Sequence, residues 1–329
     1  MSKKIFYMSK INILLYFSIL TVLTISNGCY NKNHQIIPNE FDTADVYEPL
    51  SPNEDENPEE PTFGQEHIPG LMMSERIPGN NDDIYIDLNL TFLVSNPEII
   101  YNIFNFITSE LQETGFINEK DFSSFPSLDL SEDSLPHLEK YVSDCLDSIR
   151  ILFTKQLPEI ESYKVPFNIT IDAYPVFLND DYVTYRKYAY YYTGGAHGNS
   201  ESLLTTFNLT NGKPIGLKNI VKSDRLDDIR EMVASHMAYS YPIYDNIKTV
   251  DEYIDSLNVW LGTGTSENEN AGDRITLKNY PLKDPAITQL GLVFIYEKYE
   301  LAPGVDGSPV VVLPYLEIRD CLKAPFNEY

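Results

Sequence analysis

Three cysteines, five histidines and one tryptophan are all that 329 residues contain of these side chains. That scarcity excludes a disulfide-dense scaffold, and no Cys or His spacing resembles a zinc site. Basic residues are also short, 24 against 49 acidic ones, for a net charge of −25, which sets nucleic acid aside as a partner. Gly-x-Ser-x-Gly, His-Glu-x-x-His and EF-hand patterns are missing. Gly262, Gly264 and Ser266 look superficially like a phosphate loop, but acidic residues follow instead of Lys-Ser/Thr, so the segment reads as a solvated loop. No metal, no cofactor and no catalytic residue is expected.

What is present begins with export. The first 28 residues carry Lys3, Lys4 and Lys10, no acid, and an apolar run from Ile11 to Ile25 that leads into Ser26-Asn27-Gly28-Cys29. The run is shorter than the roughly 20 residues that span a bilayer. It resembles a bacterial lipoprotein signal in which Cys29 is lipidated; an uncleaved anchor is the alternative. Either places the remainder in the cell envelope, outside the cytoplasmic membrane and periplasmic or on the cell surface, with the protein held to a membrane by its acyl chains or its anchor. Residues 29–82 follow with seven prolines, an acidic run and no apolar periodicity, and are expected as a disordered tether.

The pattern from Asp83 onward predicts an α+β fold, mainly antiparallel sheet with amphipathic helices packed on it, in one large or two closely packed domains. Tyr85 to Val94 alternates as a strand. Asn96 and Pro97 open a helix with Ile99, Ile103, Ile107 and Leu111 in a stripe, stopped by Gly115. Ser134 opens a second, with Leu138, Val142, Cys145, Ile149, Leu152 and Phe153 on one side. Phe167–Ala173 and Tyr182–Tyr192 form a hairpin around Asn179-Asp180-Asp181. Leu203–Leu209 and the turn Asn211-Gly212 come next. A third helix carries Leu226, Ile229, Val233 and Met237, with Ser223 and Asp224 as caps. Strands at 292–296 and 310–313 precede a short helix at 316–322.

Chemistry concentrates in Tyr190–Asn199, YYYTGGAHGN. Gly194 and Gly195 permit backbone that bulky residues do not reach. His197 and Asn199 serve the turn or contact a ligand there; catalysis by His197 would need a carboxylate partner that no local pattern supplies. Tyr188, Tyr190 and Tyr192 share a strand face, with Tyr182 further along it. Either a helix covers that face, or it is an exposed aromatic strip that binds sugar rings or a protein. Cys145 and Cys321 are free to pair or to remain buried thiols.

Three blocks, YYTGGAHGNSESLLTTFNLTNGKPIGLKNIV, LGLVFIYEKYELAPGVDG and VVVLPYLEIRDCL, resemble the domain of unknown function 3298, the C-terminal domain of RsiV-like proteins. The region from Asp83 to Tyr191 resembles the PdaC-like domain, number 4163. The boundaries so implied are 83–195 and 196–329. The resemblance implies a cell-envelope binding module that recognises lysozyme or peptidoglycan fragments. Alternatives are an envelope hydrolase using His197, or a surface-assembly protein. Only ten residues precede the apolar segment and the sequence closes at Tyr329, so neither a sigma-binding region nor a deacetylase domain is expected.

Overall fold

Alternating apolar residues build the first sheet, and the computed structural model shows how five strands share them. It describes residues 68–328 except 69, 94–95, 115, 118–124, 133, 196, 242–246, 264–273 and 302–307. The signal, Cys29 and most of the tether lie outside the described residues, as do Gly115, Gly264, Ser266 and the Gly304–Gly307 segment. His67–Tyr329 forms one compact unit. No helix among the described residues is long and apolar enough to cross a membrane.

The sheet has the order β1 (Leu71–Pro78), β2 (Ile84–Phe92), β3 (Phe167–Leu178), β4 (Tyr182–Tyr192) and β5 (Asn199–Asn208). All neighbours are antiparallel except β2 and β3, which run parallel. A parallel pair needs a long crossover, and two helices supply it: α1 (Pro97–Glu113) and α2 (Leu135–Ser162). The Asn96 side chain accepts from Glu98 N at 2.9 Å to start α1, and donates to Leu209 O at 2.9 Å to tie that start to the end of β5. Both helices cover one sheet face. Ile86, Leu88, Leu90, Ile169, Ile171, Val183, Tyr185 and Ala189 point into this core, with Ile99, Ile103, Leu138, Val142 and Phe153 opposite them.

A second core follows. It consists of α3 (Leu226–Ser240), α4 (Val250–Leu261) and an antiparallel sheet β6 (Ala286–Thr288), β7 (Gly291–Ile295), β8 (Val310–Leu313), closed by helical turns at Tyr315–Ile318 and Arg319–Cys321. Thr249 and Glu252 form a capping box at α4. The two cores meet at a hydrogen-bonded joint. Thr184 Oγ1 lies 2.7 Å from Thr206 Oγ1 across β4 and β5; it donates to Ile287 O at 2.5 Å, while Ile287 N donates to Thr206 Oγ1 at 2.8 Å. Tyr182 stacks on Phe326 beside it, with ring centroids 5.2 Å apart.

The α+β expectation holds, and the strand pairs expected as a hairpin form in register. Several details differ. β1 lies inside the segment expected as tether: its prolines sit at or beside its ends, and β2 supplies the ladder that local periodicity did not reveal. The expected division at 195/196 falls between β4 and β5, which pair along their length within one five-stranded sheet. Ser223 and Asp224 belong to a 3₁₀ turn ahead of α3 instead of capping it. Cys145 and Cys321 are both buried and free, one in each core, which rules out the pairing. Burial pushes the Cys145 thiol up to about 12.

Tyr185 tests the first core. Its hydroxyl accepts from Leu93 N at 2.8 Å in a buried setting. Tyr185→Phe leaves that N–H without a partner and is expected to cost about 1–3 kcal/mol in denaturant unfolding, with an unchanged m-value.

Candidate functional site

Strand periodicity separates β4 into two faces. Val183, Tyr185, Lys187 and Ala189 lie under the helices and are buried. Tyr182 and Thr184, on the other face, are buried by the C-terminal core. Beyond them that face opens: Arg186, Tyr188, Tyr190 and Tyr192 are half-buried.

Register shows what surrounds the tyrosines. Tyr192 faces Asn168, Tyr190 faces Thr170, Tyr188 faces Asp172 and Arg186 faces Tyr174 on β3. Continuing outward, Asn168 faces Tyr85, Thr170 faces Asp87 and Asp172 faces Asn89 on β2. On β1, Arg76 and Ser74 complete the rows. Arg76 pairs with Asp87 at 3.0 Å and sits 4.0 Å above the Tyr85 ring. Asn89 donates to Asp172 at 2.8 Å, and Arg186 donates to the Tyr174 hydroxyl at 3.1 Å. Burial raises the Tyr85 and Tyr188 hydroxyls above their ordinary value. The result is a surface of tyrosine rings set among carboxylate, amide and guanidinium groups.

The YYYTGGAHGN turn frames one end of this surface. Gly194 and Gly195 have φ of +97° and +115°, and any Cβ at Gly198 would collide with the Tyr190 ring. Tyr192 donates to Gly195 O at 2.6 Å, and Asn199 donates to the Tyr191 hydroxyl at 2.6 Å. His197 is exposed, with Nδ1 3.0 Å from Gly198 O, and among the described residues no carboxylate pairs with it. The glycines let the backbone fold down beside Tyr190.

Beside the open face, where β5 meets β7, lies a cavity of ≈290 Å³. Leu204, Thr206, Ile215, Val293, Ile295 and Tyr296 line it, with Glu201, Lys283, Asp284 and Glu297 at its polar margin. Lys298 Nζ donates to Ser200 Oγ at 2.8 Å across the same boundary. Nothing in the order of residues announced this cavity, because its walls come from segments about 90 positions apart.

On the helix-covered side, α1, β4 and β5 bring together Glu110, Lys187 and Glu201. Lys187 pairs with Glu110 Oε1, both side chains nearly fully buried, and Lys187 Nζ lies 5.3 Å from the Phe106 ring centroid. Glu201 is raised to about 7, first by burial and then by Glu110 and Glu113, against the lowering effect of Lys187.

Residues 219–316 match the model of a family described as "Protein of unknown function (DUF3298)". This segment is similar to the DUF3298 family. It spans α3, α4 and the β6–β8 sheet. The YYYTGGAHGN block, expected to belong to that domain, precedes the matched residues. Two solved structures are similar to this chain. A DUF3298 family member from Bacteroides fragilis is 16% identical, with a TM-score of 0.48, covering 79% of this chain and 95% of that one. A DUF3298 family protein from Pseudomonas aeruginosa is 15% identical, with a TM-score of 0.44, covering 79% and 94%. Comparison with curated proteins gives no match.

The raised Glu201 carboxyl has a testable sign. Its folded value, about 7, exceeds the ordinary 4.5, so the native state holds the proton more tightly than the unfolded chain. The stabilisation it contributes is present below about 4.5 and is lost as pH rises through about 7. Glu201→Gln, which stays neutral, is expected to gain in melting temperature relative to wild type across that window, measured by paired thermal scans at each pH.

Proposed function

We propose that this chain is a lipid-anchored cell-envelope binding protein, with the open tyrosine face as its ligand surface and a peptidoglycan fragment as its ligand. The observation that carries the reading is the composition of that face. Tyr85, Tyr188, Tyr190 and Tyr192 offer rings to sugar faces, while Asp172, Asn89 and Arg186 stand within reach of hydroxyl, amide and carboxylate groups. The adjoining cavity, ≈290 Å³, is of a size to accept a side group of such a ligand. The signal-like N-terminus, with Cys29 as the acylated residue, would place this surface outside the cytoplasmic membrane. In this reading residues N-terminal to the DUF3298 domain form a PdaC-like partner domain.

A second reading has its own support. The net charge of −25 favours encounter with a cationic protein, and a lysozyme is the envelope-directed protein that fits that description. Protein ligands of this kind associate faster at low salt, whereas sugar stacking is little affected by salt. A hydrolase using His197 has less support, since among the described residues no carboxylate pairs with that side chain.

Calorimetry of the full chain with muropeptides and, separately, with lysozyme distinguishes the readings. Muropeptide binding that is insensitive to salt, and weakened about 10-fold or more by Tyr188→Ala, is the expected result. Leu316→Ala, at an 85% exposed position remote from the face in sequence, should leave it unchanged. Absence of binding to either ligand removes the proposal; salt-dependent lysozyme binding alone transfers it to the second reading.

A further inference from the structure

The carboxylates at the C-terminal end of α1 leave an electrostatic account unbalanced. Oxygen atoms of Glu110, Glu113 and Glu201 all lie within 4.8 Å of one another. Glu110 is 3% exposed and Lys187 7%. Lys187 engages Glu110 Oε1, but Glu110 Oε2 is buried with no hydrogen-bond partner. A buried carboxylate oxygen without a donor is costly, and neither Glu113 nor Glu201 in its ionised form can donate. α1 has no basic residue in its last turn, so its terminal carbonyls add partial negative charge at the same place. One ammonium therefore faces the Glu110 and Glu113 carboxylates, the Glu201 carboxyl beside them and a helix end.

The donor set indicates the missing charge. It is all oxygen, with no imidazole or thiolate, which suits a hard divalent cation better than zinc. Glu110 is buried, Glu201 intermediate and Glu113 exposed, so one side is left for water, which calcium keeps readily in its coordination sphere. We propose that Glu110, Glu113 and Glu201 bind one calcium-class divalent cation, which joins the end of α1 to β5. This goes beyond the sequence, where no spacing predicted a metal: Glu110 and Glu113 stand a helical turn apart, but Glu201 reaches them only through the sheet. The site braces β5, whose Ser200 and Ser202 border the open tyrosine face, and it stands whether or not that face binds peptidoglycan.

Calorimetric titration of the full chain with calcium chloride after chelator treatment tests it. The expected result is a single saturable site in the range of extracellular calcium modules, about 10⁻⁴–10⁻³ M, with a higher melting temperature in millimolar calcium. Glu201→Gln is expected to weaken calcium binding at least ~10-fold while folding at least as stably in chelator, because its amide donates to Glu110 Oε2. Glu113→Gln, at an exposed position, should weaken binding with no loss of stability in chelator. No calcium response in wild type overturns the proposal, as does an equal response in wild type and Glu201→Gln. A wild type that responds to pH but not to calcium also overturns it, by showing that a proton on Glu201 fills the gap.

Discussion

The arrangement depends on two threonines. Thr184 and Thr206 lie opposite each other on β4 and β5, on the face away from the helices, and their hydroxyls take up the backbone of Ile287. Both are essentially inaccessible to solvent, so each hydroxyl must be satisfied within the protein. This cluster locks the β6 strand onto one end of the first sheet. Further along the same face, from Arg186 to Tyr192, the side chains are half-buried, and Lys298 reaches across to Ser200 beside them.

A second constraint acts on the opposite face. The parallel pairing of β2 and β3 requires a crossover, and α1 and α2 both return over the same side of the sheet. Burying β4 on that side places Lys187 in the interior, where it needs a carboxylate, and Glu110 on α1 provides one. Glu201 then enters the same space from β5. A buried ion pair of this kind adds little stability of its own, but removing one partner leaves a charge stranded. The two faces of β4 thus carry different chemistry, aromatic and open on one side, ionic and enclosed on the other.

Much of the fold was legible locally. Asn96-Pro97 at the head of an Ile/Leu stripe specified α1, and Ser134 ahead of an apolar stripe specified α2. Asn179-Asp180-Asp181 specified the β3–β4 hairpin, in which Asn179 Oδ1 accepts from Asp181 N at 3.0 Å and Tyr182 N at 2.7 Å. β1 was not legible, because its residues alternate only weakly in hydrophobicity and Arg76, Glu75 and Ser74 look solvated until β2 pairs with them. α4 escaped notice as well, although Thr249 and Glu252 spell a capping box. The tyrosines of β4 were recognised as one face from their spacing alone, whereas Tyr85, Asp87, Asp172 and Arg76 join them only through sheet order.

The sequence by itself determined the local elements, the acidic character, the signal-like N-terminus and the grouping of Tyr188, Tyr190 and Tyr192, since each depends on neighbours a few positions apart. Tertiary structure alone decided which face of β4 is open, that Cys145 and Cys321 lie in separate cores, and that Glu201 meets Glu110. Those outcomes depend on strand order and crossover, which bring residues from distant parts of the chain into contact. Periodicity says which side of a strand a residue occupies; only packing says what lies on that side.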